Sequence, residues 1–300
     1  MQVIQKKDAV ILQDCPDFVP EHIFECGQCF RFYKQEDNSY AIVAKNKVIN
    51  VSKNENDVIL RNTNITDYET IWKNYFDLDT DYSKIKKALK PMDEHLNVAC
   101  DFGSGMRILN QDFHENVISF IISARNSITS IKKCVLFLSE HLGEKLQSLD
   151  GVTYYAFPTL EALAKADMEV LKASKAAFRA PYIKKAAQKM LDDNMTYDDF
   201  KNLNLDETAQ LLQTLPGVGP KVADCIALFS LNKSDAFPVD VWVKRVMEEF
   251  YVKEQNYSLK NMRTYGINHF GALAGYAQQY LFYYARQNGL GKKKNLTKEL

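Results

Sequence analysis

Three hundred residues, 46% of them hydrophobic and 25% charged, are enough for one large core or two smaller ones, at about 100 to 200 residues per domain. Basic and acidic side chains balance at 38 each, and the residues after position 100 lean basic by only three charges, so bulk charge does not argue for a nucleic-acid partner and any such face is local. No stretch approaches about 18 uninterrupted apolar residues, and residues 1–11 lack the apolar region of a secretory leader, which points to a soluble, intracellular chain with no membrane partner.

Past the first segment, short runs rich in Val, Ile, Phe and Tyr at 30–33, 40–44, 48–52 and 58–61 alternate with polar turns such as Gln35-Glu36-Asp37-Asn38-Ser39. β-Branched and aromatic residues suit a pleated, half-buried surface, so this pattern predicts an antiparallel meander. The texture changes at Thr66. There Thr66-x-x-Glu69 reads as a capping box ahead of Tyr68, Ile71, Trp72, Tyr75 and Phe76 at helical spacing. Further helices are predicted near 112–124, 127–141, 159–172, 180–192, 206–214, 220–231, 241–250 and 272–287. Gly103-Ser104-Gly105 marks a junction. The expected organisation is a β-rich domain over 1–103, a helical domain over 104–290 and a basic tail over 291–300 that opens with Lys292-Lys293-Lys294. The six cysteines, Cys15, Cys26, Cys29, Cys100, Cys134 and Cys225, read as free thiols. Cys26-x-x-Cys29 has no second cysteine or histidine pair to complete a zinc site, so no metal is read from it.

The most informative stretch is Leu215-Pro216-Gly217-Val218-Gly219-Pro220-Lys221. Two glycines one residue apart allow the positive φ of a tight helix-to-helix turn, and Pro220 suits the first position of the next helix. Outward-facing amides at Gly217, Val218 and Gly219 can hold a phosphate without reading a base, while the plainer reading is an αα-corner. Lys221 falls in the first turn of that helix. An amine attacks only when neutral, and a helix start together with partial desolvation favours that form. The alternative for Lys221 alone is a solvated phosphate contact. Asp240 stands where the 241–250 helix begins and reads as its N-cap. A carboxylate there can also stabilise an oxocarbenium-like sugar and assist proton transfer.

Leu215 to Lys221 together with Asp240 resembles the helix-hairpin-helix DNA glycosylases, and most of all the 8-oxoguanine DNA glycosylases, over about residues 27–287. The resemblance implies an α+β fold, with an N-terminal antiparallel β-sheet domain with helices packed on a larger all-α helix-hairpin-helix domain. It also implies a bifunctional enzyme in which the Lys221 amine attacks C1′, forms a Schiff base and supports β-elimination. The partner is double-stranded DNA containing an oxidised purine, bound by a monomer. No cofactor is expected, and the cysteines that hold an iron-sulfur centre in some related enzymes are missing after Cys225. The implied location is the cytoplasm or nucleoid of a prokaryote, or a eukaryotic nucleus.

Cys225 lies four residues after Lys221, and Phe282 four after Gln278, so each pair projects from one helix face. By the resemblance, Cys225 and Phe282 sandwich the flipped base, Gln278 bonds its Watson-Crick edge, and Pro238 belongs to the same pocket. The Gly27 carbonyl, in Cys26-Gly27-Gln28-Cys29-Phe30-Arg31, accepts the N7–H that 8-oxoguanine has and guanine lacks. Taken alone, Cys225 and Phe282 read as core and Gln278 as surface. The loop at Arg125 and Asn126 and the pair Phe178-Arg179 are the implied wedges, with Trp242 as a further DNA contact. The chain departs from the family pattern with Arg125 for asparagine, Ser130 for arginine, Phe178 for tyrosine and Trp242 for histidine. Each hydrogen bond so lost removes about 1 to 3 kcal/mol of discrimination, which predicts a relaxed preference for the opposite base. Two other readings stay open: a helix-hairpin-helix glycosylase for another damaged base, and a non-catalytic protein that grips duplex DNA with the hairpin.

Overall fold

The computed structural model describes residues 2–252 and 257–290, so the basic tail read from Lys292-Lys293-Lys294 lies outside the described residues. Six strands, β1 (Gln2–Lys6), β2 (Ala9–Gln13), β3 (Phe32–Lys34), β4 (Tyr40–Ala44), β5 (Lys47–Asn54) and β6 (Asp57–Arg61), form one sheet in the order β1-β2-β6-β5-β4-β3. Every pairing is antiparallel. The four expected strands are present, with Phe30 outside β3. β1 and β2 exceed the expectation. β1 is a largely exposed polar edge, which hides the alternation that marks a strand. β2 joins the sheet by pairing with β6, from Ala9↔Arg61 to Leu12↔Val58. One sheet face, including Leu12, Ile42, Ile49 and Leu60, packs on Phe18, Phe24, Trp72 and Phe76 in a first core.

The segment after the strands corrects the capping expectation. Its cap is Asn64, whose side chain accepts the Asp67 amide at 2.9 Å, so Thr66 already lies inside the helix Ile65–Asp67. Asn64 takes the extended backbone that an N-cap requires, two residues before the predicted start. The chain continues through a wide π-turn, Tyr68–Trp72, to Lys73–Tyr75.

Helices occur at Phe113–Ser123, Ile128–Leu142, Ala180–Asp192, Leu205–Leu212, Pro220–Ser230, Val241–Val246 and Ala274–Gln287, close to the predicted positions. The helix predicted over 159–172 is two helices, Leu160–Lys165 and Met168–Ala173. Ala166 turns to ψ 141°, and Asp167 then caps the second helix by accepting the Glu169 amide at 3.0 Å. Among the described residues, helices beyond the expectation include Tyr82–Leu89, Glu94–Phe102, Leu259–Phe270 and the short Pro20–Phe24. The first two share a core with the last helix, where Leu89, Leu96 and Cys100 meet Phe237, Ala277 and Tyr280. A third core surrounds Phe113–Ser123. Phe120 of that helix stacks on Phe229 at 5.5 Å and meets Phe30 edge-on at 5.7 Å. This aromatic line ties the segment after Gly27 to the helix that carries Lys221.

Candidate active site

The turn between Leu205–Leu212 and Pro220–Ser230 is built on Gly217, at φ +89°. A side chain there is excluded twice, by that backbone conformation and by Tyr182, whose Cβ lies 2.8 Å from where a Cβ of residue 217 would sit. The structure corrects the expectation for the other two hairpin residues. Gly219 is extended, at φ −100° and ψ 179°, and open space surrounds its α-carbon, so it serves as a side-chain-free N-cap. The Val218 amide is committed within the turn, donating to the Leu215 carbonyl at 3.1 Å, and its side chain is buried.

Lys221 lies in the first turn of the next helix, half-buried. Its Nζ donates to Ser123 Oγ at 3.4 Å and lies 5.3 Å from the centroid of the Phe120 ring. Asp240 is the N-cap of Val241–Val246, and a single oxygen, Oδ1, accepts the amides of Trp242 at 2.9 Å and Val243 at 2.8 Å. Desolvation raises the Asp240 carboxyl above the ordinary carboxylate range, against the opposing pull of the Val243 amide and the Lys221 charge. Burial likewise pushes the Cys225 thiol up to about 11, with Lys221 pulling it down. Lys221, Asp240 and Cys225 thus act on one another electrostatically, and the thiol stays neutral near pH 7.

Gly27 is brought against Phe282 and Ile128. It adopts φ +80°, and a Cβ there would stand 3.1 Å from Ile128 Cδ1 and 3.3 Å from Phe282 Cε1. Gln278, one turn before Phe282, is 4% exposed, and its Oε1 has no hydrogen-bond partner. A buried amide oxygen left unsatisfied costs about 1 to 3 kcal/mol, which a ligand that donates to it would recover. Pro238 is buried between Phe237 and Val239. Three wide hollows lie apart from these residues, one of about 540 Å³ lined by Lys45, His114, Glu161 and Met195, and two of about 450 Å³, beside Tyr265 and His269 and beside Lys47 and Asn64.

The wedge residues divide. Arg125 is exposed at φ +52° and Phe178 is 55% exposed, so both can reach a partner. Arg179 and Asn126 also bond within the protein. Arg179 is 5% exposed, and its guanidinium donates to the carbonyls of Ala124 at 2.7 Å, Arg125 at 2.9 Å and Ala176 at 3.1 Å. The Asn126 amide donates to the Ile122 carbonyl at 3.1 Å and its oxygen accepts the Ser127 amide at 3.0 Å. Both side chains hold the loop in shape. Trp242 is half-buried, with the Arg245 guanidinium 4.7 Å from its ring centroid. Sequence reasoning missed Ser123, Gln28 and Gln279. Gln28 is fully buried, donating to the carbonyls of Ile23 and Arg107 at 2.8 Å each and accepting the Leu109 amide at 2.9 Å. Its position beside Gly27 was the one available signal.

Two family models cover most of the chain. The 8-oxoguanine DNA glycosylase N-terminal domain matches residues 10–117, and the HhH-GPD superfamily of base excision DNA repair proteins matches residues 118–266. A probable N-glycosylase/DNA lyase of Methanothermobacter thermautotrophicus is 32% identical over 235 residues, 72% of this chain and 74% of the relative. The chain belongs to the 8-oxoguanine DNA glycosylase family of the HhH-GPD superfamily. An N-glycosylase/DNA lyase of Saccharomyces cerevisiae is 30% identical over 274 residues, 81% of this glycosylase and 71% of the yeast protein. The crystal structure of Clostridium acetobutylicum 8-oxoguanine glycosylase/lyase, solved with double-stranded DNA containing cytosine opposite 8-oxoguanine, superposes with a TM-score of 0.93 at 45% identity. That match covers 96% of this glycosylase and 99% of the clostridial chain.

Proposed function

We propose that this DNA glycosylase and abasic-site lyase excises 8-oxoguanine from duplex DNA as a monomer, through a flipped base and a covalent intermediate on Lys221. The neutral amine attacks C1′, and the C1′–N9 bond breaks with its electron pair leaving on the base, which is protonated. Loss of the amine proton and opening of the sugar give a Schiff base. A C2′ proton then departs and the C3′–O bond breaks, releasing the 3′ phosphate. Asp240 offsets positive charge on the sugar and assists the proton transfers, with Oδ2 making neither of the two capping bonds. The base lies between Cys225 and Phe282, with Gln278 on its Watson-Crick edge and the Gly27 carbonyl on N7–H, and guanine is rejected because its N7 presents a lone pair to that carbonyl. The observation that carries this reading is the Lys221 amine, held beside Ser123 and Phe120 within the field of Asp240.

Preference for the opposite base is relaxed in this proposal. Ser130 is tied to Ser127, accepting its hydroxyl at 2.9 Å, and Arg179 is committed to three loop carbonyls. Arg125 and Phe178 then fill the gap by shape and charge more than by a base-specific hydrogen-bond pattern. Single-turnover excision of 8-oxoguanine opposite each of the four bases tests both parts. The expected rates lie within about tenfold of one another, the value of one ordinary hydrogen bond. No excision on any duplex contradicts the substrate, and a cytosine preference of about a hundredfold or more contradicts the relaxed opposite-strand reading.

A further inference from the structure

The last helix, Ala274–Gln287, carries Gln278 and Phe282, and it also holds the segment that presents Gly27. Gln279, 2% exposed, donates from Nε2 to the Cys26 carbonyl at 2.9 Å. Cys26 is fully buried, and its thiol donates to the Ile23 carbonyl at 3.1 Å. Two turns further along the helix, Arg286 Nη1 donates to the Glu25 carbonyl at 2.7 Å. The two carbonyls that precede Gly27 are therefore both bonded to one helix, and the next peptide turns through the positive φ of Gly27. Hydrogen bonds weaken steeply once the acceptor leaves the line of the donor's N–H, so the Gly27 carbonyl discriminates N7–H from a bare N7 only if its position against the base is fixed. A loop free to rotate would relieve the lone-pair repulsion with guanine and lose the bond to 8-oxoguanine together.

We infer that Gln279 is a specificity-determining positioning residue. It sets the register between the Gly27 carbonyl and the two side chains, Gln278 and Phe282, that meet the same base from the helix. This inference rests on the base-reading role of Gly27 proposed above. Gln279 touches no substrate; it acts through the Cys26–Gly27 peptide.

The test compares Lys221→Gln protein, in which chemistry is blocked, with Lys221→Gln carrying Gln279→Met, a residue of similar volume that has no donor. Equilibrium binding is measured on three duplexes that differ at one nucleotide: 8-oxoguanine, guanine, and a tetrahydrofuran abasic analogue. Loss of one aimed hydrogen bond predicts that affinity for 8-oxoguanine falls about five- to tenfold while affinity for the abasic analogue is unchanged. Abasic-analogue binding reports a folded protein with an intact hairpin, and a merely structural role for Gln279 moves it in parallel. Arg286→Met, at a half-buried position, provides a second variant with the same expected pattern at smaller amplitude. Affinities that fall together on all three duplexes, or an 8-oxoguanine preference unchanged in both variants, overturn the inference. A Lys221→Gln parent that binds 8-oxoguanine and guanine alike identifies the failure as that of the base reading itself.

Discussion

The hairpin at Gly217 and the wedge loop at Arg125 meet where Lys221 Nζ reaches Ser123 Oγ, yet they use their polar groups in opposite ways. On the hairpin side the Lys221 amine has one long hydrogen bond, and Asp240 keeps an oxygen out of its capping bonds. On the wedge side Asn126 and Ser130 are tied within their own loop, and Arg179 reaches across to the carbonyls of Ala124 and Arg125 in that loop. The hairpin's polar groups are left available, while those around the Arg125 loop are tied down.

The sharpest way to break the comparison is at the amine. Lys221→Gln lowers single-turnover excision by about a thousandfold or more, since a nucleophile is removed outright. Arg179→Met comes next, because the carbonyls of Ala124, Arg125 and Ala176 all lose a charged donor. A stability loss of about 3 kcal/mol is expected in denaturant unfolding, together with weaker binding to damaged duplex, while the rates opposite the four bases keep their ratios. A change in those ratios would return Arg179 to base reading.

The pH profile sharpens the hairpin side. Asp240 has a folded-state carboxyl raised by burial, so excision falls on acidification through a limb that lies above the ordinary value of about 4. The residual activity of Asp240→Asn has no such limb. Stability has the opposite sign. A raised carboxyl makes the native state hold its proton longer than the unfolded chain, so stability declines as pH rises from the unfolded value through the folded one. Asn also caps helices, so Asp240→Asn keeps the cap, relieves the buried charge and raises Tm at neutral pH. Asp240→Ala loses the cap and costs about 1 kcal/mol.

The smallest contrast separates the two glycines. Gly217→Ala destabilises by more than about 1 kcal/mol, because φ +89° and the Tyr182 contact both resist a Cβ. Gly219→Ala has open space and an extended backbone and changes thermal stability by less than about 1 kcal/mol. Equal effects of the two would contradict the turn as described.

Much of the hairpin was legible because one short run, Leu215 to Lys221, carries its turn residues and the lysine at the start of the next helix, and local chemistry decides both. The helix Ala180–Asp192 was legible to the residue, with its apolar positions at helical spacing. β1 was not, since an exposed edge strand has no buried face to impose alternation. The helices Tyr82–Leu89 and Glu94–Phe102 carried real signals in Asp81 and Asp93, both of which cap through their carboxylates. Arg179 shows a different limit: a guanidinium that reads a base and one that ties carbonyls are the same letter, and only burial separates them. Gln279 was out of reach of sequence spacing, because its bond to Cys26 spans 253 positions.

Borohydride reduction during reaction with an 8-oxoguanine duplex, followed by peptide mapping of the trapped protein, tests the central claim most directly. The account predicts one covalent DNA adduct, carried on Lys221 and absent from Lys221→Gln. An adduct on another residue, or excision that proceeds with no trappable intermediate, would contradict it.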